Sequence, residues 1–191
     1  MFNQALQFLL ETLINLLVLA FLLRFYLQAM RVPFHNPFSQ FIVAVTDFAV
    51  RPIRRLVPGL WGLDLGTLLL AWLLEALLLF ALYWLSGFPF LVAGGGVYLG
   101  LALLAAVKLL KTSVYILIGV VFVQAVLSWV NPYNPLSPVL YALSRPFMRF
   151  FQRLIPPIAN IDLSPLFIFI ACQLFLMLPV AWLEALALRL M

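Results

Sequence analysis

Residues 38–56 keep a helical rhythm. Phe38, Phe41, Ile42, Val45, Phe48, Ala49, Pro52, Ile53 and Leu56 recur at i, i+3, i+4 and i+7, which gives a helix one apolar face. Ser39, Gln40, Thr46, Asp47, Arg51, Arg54 and Arg55 fall on the other face. Residues 140–154 do the same, with Leu140, Leu143, Phe147, Phe150, Phe151 and Leu154 set against Ser144, Arg145, Arg149, Gln152 and Arg153. Around these two stretches the rhythm vanishes. Segments 5–31, 67–87, roughly 112–130 and 166–188 are almost continuously apolar. Each has about the 17–25 residues that a membrane-spanning helix needs.

Between them, 86–111 is also apolar, but it holds Pro89, the run Gly94-Gly95-Gly96, Lys108 and Lys111. It reads as a glycine turn opening one long helix over 97–130. A fifth crossing is the alternative. The pattern therefore predicts an all-α membrane protein with four spanning helices.

The chain also repeats itself. Shifted by 98 positions, "NPFSQFIVAVTDFAVRPIRRLVPGLWGLDL" (36–65) lies over "NPLSPVLYALSRPFMRFFQRLIPPIANIDL" (134–163) without a gap. Asn36/Asn134, Pro37/Pro135, Arg51/Arg149, Arg55/Arg153, Pro58/Pro156 and Asp64/Asp162 are among the identical pairs. Such self-similarity marks a duplicated unit. Each copy is helix, interfacial amphipathic helix, helix. The division is 1–90 for the first repeat, 91–111 for the linker and start of the long helix, and 112–191 for the second repeat.

Composition supports a lipid setting. Hydrophobic residues make up 66% of the chain and charged ones 9%, against about a quarter charged in soluble domains. The start, "MFNQALQFLLETLINLL", has no Lys or Arg before Arg24. It reads as a retained segment rather than a signal peptide, which opens on a basic region.

Against that background the charge is concentrated. Arg51, Arg54 and Arg55 lie in one motif stretch, and Arg145, Arg149 and Arg153 in the other. A helix with arginine on one face and Phe or Leu on the other lies at the lipid–water boundary. The six arginines are either a surface for anionic lipid or a partner protein, or markers of topology alone. Seven arginines flank the motifs (Arg31 with these six), against Lys108, Lys111 and Arg189 on the opposite side. By the positive-inside rule the motif loops are cytoplasmic and both termini outside.

Asn36 and Asn134, each followed by proline, read as N-caps of the basic helices. Pro52 and Pro146 should bend or break those helices. Asp64 and Asp162 read as caps where the second spanning helix of each copy begins.

A few polar groups fall inside the apolar runs. Arg24 lies seven residues before Arg31, and Glu75 eight after Thr67. At about 1.5 Å per residue both are roughly 10–12 Å deep. Intramembrane charges usually pair, so an Arg24–Glu75 ion pair is expected, with Gln124 and Gln173 hydrogen-bonded near the same depth between the repeats.

Candidate chemistry is sparse. Cys172 is the one cysteine and His35 the one histidine, too few for an ordinary metal site. No phosphate loop, nucleophile elbow or carboxylate pair is present. No cofactor, nucleic-acid partner or catalysis is expected.

The pattern N-P … R-P-I-R-R-L-x-P … D-L, at 36–65 and in variant form at 134–163, resembles the YggT family, whose repeat runs N-P…T-[DE]-P…P-[IFL]-R-[RK]…P-x…D-x-S-P. The first copy departs at Phe48 and in "DLGT"; the second has Phe150 and Gln152 where the first has Pro52 and Arg54. The resemblance implies an integral bacterial inner-membrane or plastid protein without assigned catalysis. It also implies links to osmotic stress tolerance, to membrane organisation around division or the nucleoid, and to cytochrome b maturation. Two functions follow as expectations. One is a membrane organiser or assembly factor using its basic helices, homo-oligomeric or with a membrane-protein partner. The other is a small transporter or channel-like subunit in osmotic adaptation.

Overall fold

A computed structural model describes the chain except for residues 1, 58, 60, 61, 91, 93, 132, 133 and 155–161. The repeated prolines Pro58 and Pro156 lie outside the described residues. The helices are α1 (Phe2–Ala29), α2 (Pro37–Leu56), α3 (Leu65–Leu85), α4 (Gly96–Val130), α5 (Ser137–Leu154), α6 (Ser164–Phe175) and α7 (Ala181–Arg189). A π-helical turn, Leu176–Val180, joins α6 to α7. Pro179 sits in that turn. Proline has no N–H for a regular helical bond, and a wide turn accommodates the gap.

Among the described residues, four helical stretches are long and apolar enough to cross a membrane: Asn3–Ala29, Leu65–Leu85, Gly96–Val130 and Ser164–Arg189. The chain is a multi-pass membrane protein of two tandem repeats. The glycine turn and single long helix hold, because α4 runs unbroken for 35 residues.

The two short helices lie at the same end of the bundle. Ile42 of α2 shares a buried cluster with Val139 and Leu143 of α5, Leu27 of α1 and Val120 of α4. At the other end Phe80, Trp84, Phe88, Phe90 and Tyr98 stack on one another, with Phe80 and Phe90 ring centres 4.8 Å apart. Trp84 and Tyr98 of this group carry a polar edge on an apolar ring, the kind of side chain that collects at membrane–water boundaries.

α1 and α3 close tightly. Val18, Phe21 and Leu22 bury against Ala71, with Val50 of α2 and Leu109 of α4 completing the cluster. α7 docks on α4 through a small residue: a Cβ on Gly100 would meet the Ala187 carbonyl oxygen at 3.0 Å. Small residues let spanning helices approach this closely.

Both α2 and α5 continue through their internal prolines, Pro52 and Pro146, so neither proline breaks its helix. Their buried faces differ from the sequence reading. Ser39, Thr46 and Ser144, assigned to the polar face, are fully buried. Phe41 and Phe48, assigned to the apolar face, are 63% and 69% exposed. Arg24 of α1 reaches the Thr46 hydroxyl and Gln124 of α4 that of Ser144, while the Ser39 hydroxyl is bonded by Asn36, the cap of its own helix.

Candidate functional site

The first motif is built around two carboxylates. Arg24 rises from α1 and donates to the Thr46 hydroxyl at 2.9 Å and to the Asp47 carboxylate at 3.1 Å. Asp47 also takes Arg51, one helical turn on. Burial works against the Asp47 carboxylate, but the bonds and charges of Arg24 and Arg51 outweigh it and hold its pKa below the usual value. Ten residues past Arg54, Asp64 accepts from the Arg54 Nε at 2.8 Å, the Thr67 hydroxyl at 2.7 Å and the Thr67 N–H at 3.2 Å. Burial again raises, and the Thr67 and Arg54 contacts more than reverse it, so the Asp64 pKa is lowered. Asp64 is thereby the N-cap of α3, as expected. Asn36 caps α2 with its side-chain oxygen on the Ser39 N–H at 2.8 Å, with Pro37 in the first turn.

The second motif repeats this frame with neutral groups. Gln124 of α4 meets the Ser144 hydroxyl, as Arg24 meets Thr46. Gln152 donates to Asp162 at 2.8 Å, as Arg54 does to Asp64. Two caps differ from expectation. Asn134 accepts from the Leu136 N–H at 2.9 Å, a local turn, and α5 starts only at Ser137. Asp162 bonds the Ser164 N–H at 2.8 Å, and Leu163 is the N-cap of α6. The counterpart of Thr67 is Pro165, which has no N–H to offer Asp162.

The expected Arg24–Glu75 pair is absent. Glu75 is 2% exposed and lies 3.8 Å from the Lys108 ammonium of α4, with one carboxylate oxygen, Oε1, lacking any hydrogen-bond donor. Lys111 meets Glu184 of α7 at 3.2 Å. Depth counting put Arg24 and Glu75 at one level but said nothing of which way each points; α2 takes Arg24 at the end of the bundle. The expected glutamine layer is also absent. Gln124 bonds within its own repeat, and Gln173 is exposed. Lys108 and Lys111, counted above with the far side, lie inside α4. Their place in mid-run, one turn apart, was the signal for the two ion pairs that the sequence reading missed.

The six motif arginines are all exposed, but among the described residues only two are held by carboxylates, Arg51 by Asp47 and Arg54 by Asp64. Beneath α5 lies a cavity of about 430 Å³, bounded by α1, α4 and α6. It is lined by apolar groups such as Met30, Leu117, Leu143, Phe147, Ile168 and Cys172. A second, of about 310 Å³, is lined by Tyr83, Ser86, Lys108 and Glu184 among others.

A family model described as CCB3/YggT matches residues 3–85 and 103–183, one stretch per repeat. An uncharacterised protein of Pseudomonas aeruginosa is 35% identical over 178 residues, covering 92% of this chain and 88% of its own length. An uncharacterised protein of the proC 3′ region of Vibrio alginolyticus is 38% identical over 170 residues, 88% of this chain and 90% of its own. The Escherichia coli K12 protein YggT is 35% identical over 162 residues, 84% and 81% respectively. No solved structure matches the chain.

Proposed function

The chain belongs to the CCB3/YggT family, and on that premise we propose that it is a non-enzymatic organiser or assembly factor of the bacterial inner membrane. One observation carries the reading. Two short helices at one end of the bundle expose arginines together with Phe41, Phe48, Phe147 and Phe150. Such helices lie in the headgroup layer, with rings in the acyl boundary and guanidinium groups at phosphate. Arg51, Arg54, Arg55, Arg145, Arg149 and Arg153 are the binding groups, and anionic lipid is the first ligand. A membrane-protein partner or a second copy shares the same face. With Lys108 and Lys111 paired with Glu75 and Glu184, Arg189 is the remaining far-side charge of the original count. That supports cytoplasmic motif loops and periplasmic termini.

The test replaces all six arginines with glutamine and measures the lipids retained on purification. Each arginine near an anionic surface adds about 1 kcal/mol of attraction. Loss of phosphatidylglycerol or cardiolipin is the expected result. An unchanged lipid profile on a folded protein reduces the arginines to topology markers.

The pairs Glu75–Lys108 and Lys111–Glu184 favour a second reading, a small transporter or channel-like subunit in osmotic adaptation. Intramembrane charges mark ion paths in many membrane proteins. Flux in proteoliposomes separates the two readings.

A further inference from the structure

The two repeats share a frame but not a finish. The bonded pairs Arg24–Thr46 and Gln124–Ser144 set α4 over α1 at an offset of 100, while α5 and α6 follow α2 and α3 at 98. In the first repeat Leu17, Ala49, Leu70 and Leu74 pack onto one closed core. Their counterparts in the second are Leu117, Phe147, Ile168 and Cys172, and these four line the cavity of about 430 Å³. The positions that close the first repeat leave the second hollow.

The charges diverge in the same direction. All six side-chain carboxylates of the chain lie among the described residues. In the first repeat Asp47 holds Arg24 and Arg51, and Asp64 holds Arg54. In the second, Asp47 is replaced by Arg145. Asp162 is engaged by Gln152 and Ser164. Arg145, Arg149 and Arg153 have no carboxylate within ion-pair distance among the described residues.

So an apolar hollow lies directly beneath a helix with three uncompensated arginines. Phe147 and Phe175, on its lining, are 43% and 41% exposed, which opens the hollow sideways to the bilayer. Of its few polar groups, the Ser113 hydroxyl is already bonded to the Leu109 carbonyl. Its volume falls in the range of about 300–1,000 Å³ typical of ligand sites. Arginine stems lie along apolar surface while the charged end stays at headgroup level.

We infer that the second repeat is a binding site for an anionic phospholipid, with one acyl chain in the hollow beneath α5 and the headgroup on Arg145, Arg149 and Arg153. This rests on reading the basic helices as lipid-binding. It adds that the first repeat, with two of its three motif arginines held by carboxylates and only Arg55 left over, is the weaker site, and that the second holds the ligand.

The experiment uses the full chain in phosphatidylcholine nanodiscs containing phosphatidylglycerol, with native mass spectrometry of the lipids that stay bound after extraction. R149Q/R153Q is compared with its register match, R51Q/R55Q. The second-repeat pair is expected to lower phosphatidylglycerol retention about tenfold or more, and the first-repeat pair less than about twofold. R145D, which restores the first repeat's residue, is expected to act like R149Q/R153Q. A171F, which fills the hollow, is expected to remove the bound lipid while leaving the arginines intact.

A readout on the unaltered protein covers the case in which A171F does not fold. Cys172, the one cysteine, lines the hollow. Phosphatidylglycerol added to delipidated protein is expected to slow its reaction with N-phenylmaleimide, and inorganic phosphate is not. Equal losses from the two arginine pairs overturn the inference, as does a folded A171F that keeps its lipid. Protection of Cys172 that rises with protein concentration in lipid-free detergent also overturns it, because the occupant is then a second copy. If the six-arginine variant keeps its lipids, the broader reading fails; if it loses them but the two pairs behave alike, only this inference fails.

Discussion

At Asp64 four donors from two residues converge on one carboxylate that is 2% exposed. It caps α3 and ties α2 to it through Arg54. Asparagine in its place keeps a cap acceptor and loses the charge. Because the Arg54 side chain is 44% exposed, solvent screening discounts the pair, and D64N is expected to cost about 1–2 kcal/mol, read as a lower melting point in detergent. The pH dependence follows from the lowered pKa. A carboxylate whose folded pKa lies below its unfolded value of about 3.9 adds stability above that value. The contribution fades as pH falls from there through the folded pKa. The wild type should therefore lose melting temperature below about pH 4 more steeply than D64N. Asp64 was legible as a cap from its place before an apolar run. Its ties to Arg54 and Thr67 were not, because sequence gives spacing along the chain and not the crossing of α2 over α3.

Between elements, a buried carboxylate of α3 faces a part-exposed ammonium of α4. Glu75 and Lys108 compensate one another across 3.8 Å. Removing either alone leaves a charge in an apolar setting, which costs about 3–5 kcal/mol when burial is complete. Lys108 is 37% exposed, so the cost should fall below that range. E75L and K108L should each lower the melting point more than the double variant does. α7 depends instead on shape. A Cβ at Gly100 would lie 2.6 Å from the Met191 side chain and 3.0 Å from the Ala187 carbonyl oxygen. G100V should cost about 1–3 kcal/mol by overpacking, and limited proteolysis should cleave the C-terminal helix first. Elements as such were readable: unbroken apolar runs gave the spans, Asn36-Pro37 the start of α2, and the glycines the start of α4. Side-chain direction was not. Arg24 and Glu75 were matched by depth, yet the first turns up to α2 and the second across to α4. The start of α5 was missed because Asn134 makes a turn ahead of the helix, although the pair Asn134-Pro135 repeats the motif.

For the whole molecule, the duplication was the most legible feature, since identical residues recur in one register. Its asymmetry was only half visible: Arg145 over Asp47 and Gln152 over Arg54 could be read, whereas the hollow under α5 needed the backbone. α4 has 35 residues, so it is about 52 Å long, while the hydrocarbon layer is about 30 Å thick. Even at a lean of about 40°, the upper end for spanning helices, it covers roughly 40 Å along the normal. It therefore works as an oversized strut, whose lean and overhang must readjust whenever the slab around it thins. Tilt measured by spin labels on α4 should increase from long-chain to short-chain lipid, and a constant tilt would mean that the bilayer deforms instead. Because α4 touches α3, α5, α6 and α7, stretching the membrane would shear the two repeats against each other along a single rod.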